Sequence, residues 1–164
     1  MENTRHVIWN HASTPPVVYG DLSLIFEDDF PVEPLDAAIG LPAHDAKRRK
    51  DTHLNPLTKQ HNVGYWTYRT EPIVCADFDC APLFARLVDI LRNYSGRFQQ
   101  VMQQHAGSTL LVCIYADIRE RHEYPAMRIP PELLCLLSAL NASMDVIITD
   151  CYEDDAEDRI GCFA

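Results

Sequence analysis

The sequence predicts an α+β fold, with a mainly antiparallel sheet and helices packed on one face. Segments that alternate apolar and polar residues are interspersed with segments whose apolar residues recur at helical spacing. In addition, residues 30–51 and 129–150 align without a gap, and each predicts a proline-started helix, a short turn and an extended segment. These observations favour either a ferredoxin-like arrangement or duplicated β-α-β elements. Six aligned positions are identical: Pro31/Pro130, Glu33/Glu132, Leu35/Leu134, Leu41/Leu140, Ala43/Ala142 and Asp51/Asp150.

The first half of the chain predicts two strands, a helix and a long loop. After an irregular arm that ends in two prolines (1–16), residues 17–27 alternate as a half-buried strand does. A helix begins near Pro31, and the Gly-Leu-Pro sequence that follows closes it. The polar stretch 43–62 predicts mostly an exposed loop, and the aromatic and β-branched run 63–70 predicts a strand.

The second half predicts helices on either side of one central strand. A helix capped by an aspartate near position 79 is interrupted at Ser95-Gly96 and then continues to Gly107. The continuous apolar run 109–116 predicts a strand buried on both faces. The remaining expected elements are a charged connection (117–128), a helix (130–140) and a strand (144–152).

One domain is expected at residues 17–152, between the arm at 1–16 and an acidic tail at 153–164. With 164 residues, 47% of them apolar, the chain is long enough for one sizeable core. No apolar run approaches the roughly 20 residues that a membrane span needs, and the first residues lack the pattern of a secretory signal. We therefore expect a cytoplasmic protein whose six cysteines are free thiols.

The charge of the chain is strongly negative but unevenly distributed. The formal net charge of −10 makes nucleic acid an unlikely partner, because phosphate binding needs a basic surface, and it favours a basic protein partner. Residues 44–61 nevertheless contain five basic and two acidic residues, and the chain end is acidic. Both surfaces are candidates for electrostatic docking as well as for ordinary solvation.

Short sequence motifs carry a family resemblance. A strand ending in Glu27-Asp28-Asp29 is followed by FPVEPLDAAIGLPA, then by a charged stretch closed by Gly64-Tyr65-Trp66, and later by LNASMDVIITD. Over roughly residues 17–152 the chain resembles the bacterial DUF4279 family in these motifs. The family has no assigned activity, so the resemblance implies a bacterial α+β domain and transfers no catalytic residue.

Residues that could carry chemistry are present but do not form a recognisable motif. Cys75 and Cys80 have a spacing that zinc sites use, and His53 or His61 would have to join them, but no second pair follows; we therefore predict no metal and no cofactor. A polar cluster after the central strand could provide acid–base groups, although mixed-charge runs are usually solvated connections. That cluster consists of Asp117, His122 and Glu123. The sequence shows no nucleophile elbow and no glycine-rich phosphate loop, so it does not favour an enzyme.

The long polar loop is the preferred candidate for a binding surface. A second candidate is the acidic set Glu153, Asp154 and Asp155. We predict a protein-interaction module, of which an immunity protein that neutralises a toxin is one concrete version, and a homo-oligomer also remains open. The alternative is a small-molecule-binding domain or enzyme with a pocket between sheet and helices. The predicted binding residues are Lys47, Arg48, Arg49, His53, His61, Trp66 and Arg69.

Overall fold

The structure, a computed structural model, describes residues 15–54, 56–58, 61–75, 79–118 and 125–150. Within these residues the chain forms a mostly antiparallel six-stranded sheet and packs helices against it, which confirms the predicted α+β class. No helix of this described part is both long enough and apolar enough to cross a membrane.

The elements follow one another in the order strand, helix, then strands, helix, strand, helix and strand. The strands are β1 (Val17–Phe26), β2 (Asp45–Lys47), β3 (Gly64–Arg69), β4 (Ile73–Val74), β5 (Thr109–Ile118) and β6 (Ser143–Asp150). The helices are a short π-helix (Asp36–Gly40), a 3₁₀ turn (Arg49–Asp51), α1 (Ala81–Gln104) and α2 (Pro131–Ala139).

The sheet has the strand order β2-β3-β1-β5-β6, so β2 and β6 form its two edges. β4 continues past β3 along the same side of β1. Where β3 gives way to β4, Thr70 bonds β1 twice: its amide donates to the Gly20 carbonyl and its hydroxyl accepts from the Gly20 amide, both at 2.9 Å. β6 runs parallel to β5, and α2 makes the crossover between them. The finer ferredoxin-like description stays a prediction.

One face of the sheet carries the core. Alternate residues of β1 and β5 point to the helices and are buried, as the period of two requires. Helix α1 lies close to the sheet because Gly20 has no side chain: a Cβ there would come within 3.1 Å of a Leu87 methyl group. The core is therefore a single cluster between the sheet and the helices.

The opposite face of the sheet is polar and aromatic. Asp21 and Arg69 are direct neighbours on β1 and β3, and the guanidinium donates two hydrogen bonds of 2.7 Å to the carboxylate. That guanidinium also lies 4.7 Å from the ring centre of Tyr19, which stacks on Tyr115 at 4.9 Å. Burial of the carboxylate is compensated by this paired contact, whose hydrogen bond raises the pKa of Arg69.

Three predicted boundaries are wrong. Helix α1 continues through Ser95-Gly96 without interruption, because its buried stripe outweighs the roughly 1 kcal/mol that a glycine costs a helix. The first helix does not begin near Pro31; only Asp36–Gly40 is helical, and it ends where Gly40 adopts a φ of 82°. β5 extends to Ile118 and so takes up the first residues of the predicted connection.

Several predictions fall outside the described residues. They include most of the arm at 1–16 and the tail at 153–164. Among the described cysteines, Cys75, Cys80 and Cys113 are buried free thiols, and Cys135 is an exposed one. The individual residues outside are Cys151, Cys162, His122, Glu123, Glu153, Asp154 and Asp155.

Candidate functional site

The long polar loop folds back on itself beside the β2 edge. A β-bridge joins Leu54 to His61, and the Asn62 amide donates a 3.1 Å hydrogen bond to the His53 carbonyl. The outgoing and returning segments of the loop therefore lie side by side. The first part of the polar stretch 43–62 forms β2 and the 3₁₀ turn.

Thr52 ties the base of this loop together. Its hydroxyl lies 2.6 Å from the Arg49 carbonyl and 2.8 Å from the Asn62 carbonyl. The single hydroxyl proton can therefore be donated to a carbonyl on one side of the loop or on the other. The Thr52 carbonyl lies 2.8 Å from Nδ1 of His61. Because a carbonyl can only accept, Nδ1 carries the proton and Nε2 remains for a further partner. The loop thus fixes both the position and the tautomer of His61.

The loop and the β2 edge enclose an open cleft of about 730 Å³. Four of the seven predicted binding residues line it, which are Lys47, Arg49, His53 and His61. The sequence placed them on one loop, but only the fold brings the two ends of that loop to the same cavity. The other lining residues are Thr52, Thr58, Asn62, Val63 and Tyr65.

Part of the basic run at this edge is compensated within the fold. Arg48 donates hydrogen bonds to both carboxylate oxygens of Glu33, with Nη2 at 2.7 Å from each. This contact lowers the pKa of Glu33 and raises the pKa of Arg48. Lys50 lies 3.9 Å from Asp29, and Arg49 donates to the backbone carbonyl of Glu27. The predicted basic surface is therefore only partly available to a partner.

Gly64 and Tyr65, the first two residues of β3, contact the 3₁₀ turn and Asp45 respectively. A Cβ at Gly64 would lie 3.0 Å from the Arg49 amide nitrogen, so the glycine allows the 3₁₀ turn to lie against β3. The Tyr65 hydroxyl donates a 2.7 Å hydrogen bond to Asp45, and burial, together with this bond and the nearby charge, raises the pKa of Tyr65 to about 12. Tyr65 therefore remains protonated at neutral pH.

Trp66 and Arg69 do not belong to this cleft. Trp66 is fully buried, and its indole nitrogen donates to Asp36 at 2.7 Å, because its position on β3 faces the helices. Its inclusion in an exposed binding surface is a wrong prediction. Arg69 lies on the opposite face of the sheet, paired with Asp21. Tyr68, the neighbour of Arg69 on β3, packs against the core instead.

Cys75 and Cys80 lie in the core rather than in a reactive environment. Their sulfur atoms are 3.8 Å apart, and burial raises the pKa of both thiols, that of Cys80 to about 12. In the described part of the chain, no three His, Cys, Asp or Glu side chains are grouped as a metal site requires. These thiols act as small apolar side chains in the packing.

Sequence reasoning missed the other edge of the sheet. Strand β6 exposes three consecutive large aliphatic side chains, Val146 (42%), Ile147 (41%) and Ile148 (47%). A signal was available: in the internal alignment these three residues stand where the first copy has Lys47-Arg48-Arg49. The pattern predicts a strand here, but it does not contain the information that this strand lies at an edge of the sheet.

Comparison with known proteins gives one match. The family model for a domain of unknown function, DUF4279, matches residues 22–150, which include every helix and strand described above, β1 only in part. Neither the curated proteins nor the solved structures yielded a match. Since the matched region covers most of the chain, the resemblance found in the motifs is confirmed. The chain belongs to the DUF4279 family.

Proposed function

We propose that the protein is a protein-interaction module that captures an extended segment of a basic partner along the β6 edge. The observation that carries this proposal is the exposed run Val146-Ile147-Ile148 on an eight-residue edge strand. Edge strands of this length usually carry charges, bulges or a covering element, because an uncovered edge pairs with other chains. An unprotected aliphatic edge suits the addition of a partner strand, with backbone hydrogen bonds for affinity and side chains for specificity.

The charge of the protein supports a basic partner. The formal net charge is −10, and residues 145–164 contain seven acidic residues against one basic residue. Asp145 is an exposed carboxylate on β6 itself. Complementary charge accelerates the encounter and fixes orientation, whereas the aliphatic contacts slow dissociation.

An immunity protein is the concrete form of this proposal. Such a protein would occlude a basic toxin of its own host, which requires a small acidic domain with a surface committed to one partner. The chain offers both the charge and an apolar strand surface for that purpose. The proposal can also be tested in cells. The partner should be toxic in cells that lack this protein, and co-expression of this protein should relieve the toxicity.

The biochemical test compares two valine-to-lysine variants in a pull-down from the host organism. Val146→Lys places at the β6 edge the residue that the first copy carries at the aligned position. Val74→Lys makes the same charge change at an exposed valine on β4, at the other side of the sheet. A single stoichiometric basic protein that binds the wild type and Val74→Lys but not Val146→Lys supports the proposal.

Two further readouts make the result decisive. Thermal unfolding checks that both variants remain folded, which we expect because both valines are exposed. Capture that weakens from low to high salt identifies the electrostatic part of binding. Equal capture by both variants, or only a second copy of the chain at the β6 edge, would overturn the proposal.

A further inference from the structure

The cationic groups of the loop fall into two classes. Arg48 and Lys50 each have a carboxylate partner, Glu33 and Asp29 respectively. Lys47 has no carboxylate within 4 Å among the described residues. The guanidinium of Arg49 is likewise without a carboxylate partner there, since it donates to a backbone carbonyl, which leaves its charge uncompensated. These two uncompensated cations both line the 730 Å³ cleft.

None of the described residues that line this cleft is acidic, although the chain has 24 acids and only 14 basic residues. Glu33, Asp36 and Asp51 instead line a second, smaller cleft of about 320 Å³. Lys47 lies between the two clefts and contributes to both. Asp45 is nearby and is engaged by the Tyr65 hydroxyl. The fold therefore segregates charge across β2.

Hydrogen-bond donors complete the lining. The side chains of His53 and Asn62 carry N–H donors, and His61 also lines the cleft, with its Nδ1 committed to the Thr52 carbonyl. Charged and neutral donors, with no carboxylate among the described lining residues, suit a ligand with several acceptor oxygens. The bonds of Thr52 to both sides of the loop hold these donors in place before a ligand arrives.

We infer that this cleft is a binding site for a dianionic oxyanion group, of the kind that a phosphate ester or a dicarboxylate carries. Lys47 and Arg49 supply the charge, and the His53 imidazole and the Asn62 amide supply directional donors. The site is independent of the proposed strand capture, because it lies at the opposite edge of the sheet. It would hold either a free metabolite or an oxyanion-bearing side chain of a partner.

The test is a titration of the full chain with inorganic phosphate, followed by amide chemical shifts at constant ionic strength. Titration to about 50 mM detects a Kd of a few millimolar. We expect saturable shifts at residues 47–53 and 61–65. A parallel titration with malonate distinguishes a carboxylate from a phosphate source, and binding of either probe supports the site.

Matched lysine variants decide whether the effect is specific. Lys47→Gln removes a cation of the cleft that has no described bond to lose, and we expect it to weaken phosphate binding about fivefold, which is the scale of one exposed charge contact. Lys50→Gln makes the same charge change three residues further on, outside the lining, and should leave the Kd nearly unchanged. Equal weakening by both variants would show a diffuse charge effect and overturn the site. The site would also be overturned if neither phosphate nor malonate produced saturable shifts.

Discussion

The two edges of the sheet carry the two copies of the internal alignment, and they are built differently. In residues 30–51 a short π-helix leads to the three-residue β2, and in residues 129–150 helix α2 leads to the eight-residue β6. The positions that are Lys47-Arg48-Arg49 in the first copy are Val146-Ile147-Ile148 in the second. One edge is short, charged and covered by a loop, whereas the other is long and aliphatic.

The same order of elements, a helix followed by an edge strand, therefore presents two different surfaces. Charges and short length protect an edge strand from pairing with other chains, and the β2 edge has both. Two of its cations, Lys47 and Arg49, line the cleft, and the neighbouring strand β3 anchors this edge in the core through Trp66. The β6 edge is long, and its three exposed aliphatic residues lie between the acidic residues Asp145 and Asp150. The functions proposed for the two edges therefore depend on their side chains rather than on the shared order of elements.

The largest expected effect comes from removing the anchor of the β2 edge. Trp66 is fully buried, contacts Phe98 edge-on and donates to Asp36, so Trp66→Ala should lower the free energy of unfolding by about 3–5 kcal/mol. Ile147→Ala at the β6 edge is the matched change, and we expect less than about 1 kcal/mol because that side chain is exposed. Urea unfolding measures both values, and similar costs would contradict the proposed difference in anchoring.

A medium effect is expected from a methyl group under the 3₁₀ turn. Gly64→Ala places a Cβ 3.0 Å from the Arg49 amide nitrogen and 3.3 Å from the Lys47 carbonyl, both backbone atoms, and should destabilise the fold by about 1–3 kcal/mol. The control is Gly96→Ala, where no atom lies within 4 Å of the added Cβ. Since Gly96 lies within α1, that change should stabilise the protein by about 0.5–1 kcal/mol. Thermal unfolding with opposite shifts is the expected result; shifts of the same sign would argue against the close approach.

The smallest effect concerns the compensated cations of the β2 edge. Arg48 lowers the pKa of Glu33, mainly through its hydrogen bond, so Arg48→Gln should raise that pKa towards the unperturbed 4.5. Because the folded pKa is depressed, the pair contributes stability above the unfolded pKa, and this contribution disappears as the pH falls through the folded pKa. Carboxyl chemical shifts during an acid titration measure the change.

Lys50→Gln provides the control for this titration. Lys50 acts on Glu33 only through its charge, and this is the smallest of the contributions to the pKa, so its removal should change the Glu33 pKa much less. An equal change of the Glu33 pKa in both variants would mean that the cations of this edge act through their summed charge rather than through specific contacts. The distinction between compensated and uncompensated cations would then not hold.

The sequence by itself determined the class of fold and most of its elements. The alternation in β1, the amphipathic stripe of α1 and the proline-started α2 each reflect a periodicity that a chain must have to bury one face. The sequence also contains the family motifs, the internal alignment and the loop whose residues line the cleft. Those residues are Lys47, Arg49, His53 and His61. These features are local in the chain, so a local pattern suffices to find them.

Only the tertiary structure decided which surfaces these residues occupy. Trp66 lies inside because β3 turns that face of the strand to the helices, and Arg69 lies on the opposite face because strand side chains alternate. Arg48 is compensated by Glu33, which is 15 residues away, and β6 becomes an edge only through the strand order. Contacts between distant segments create these properties, and a linear pattern does not contain the distances on which they depend.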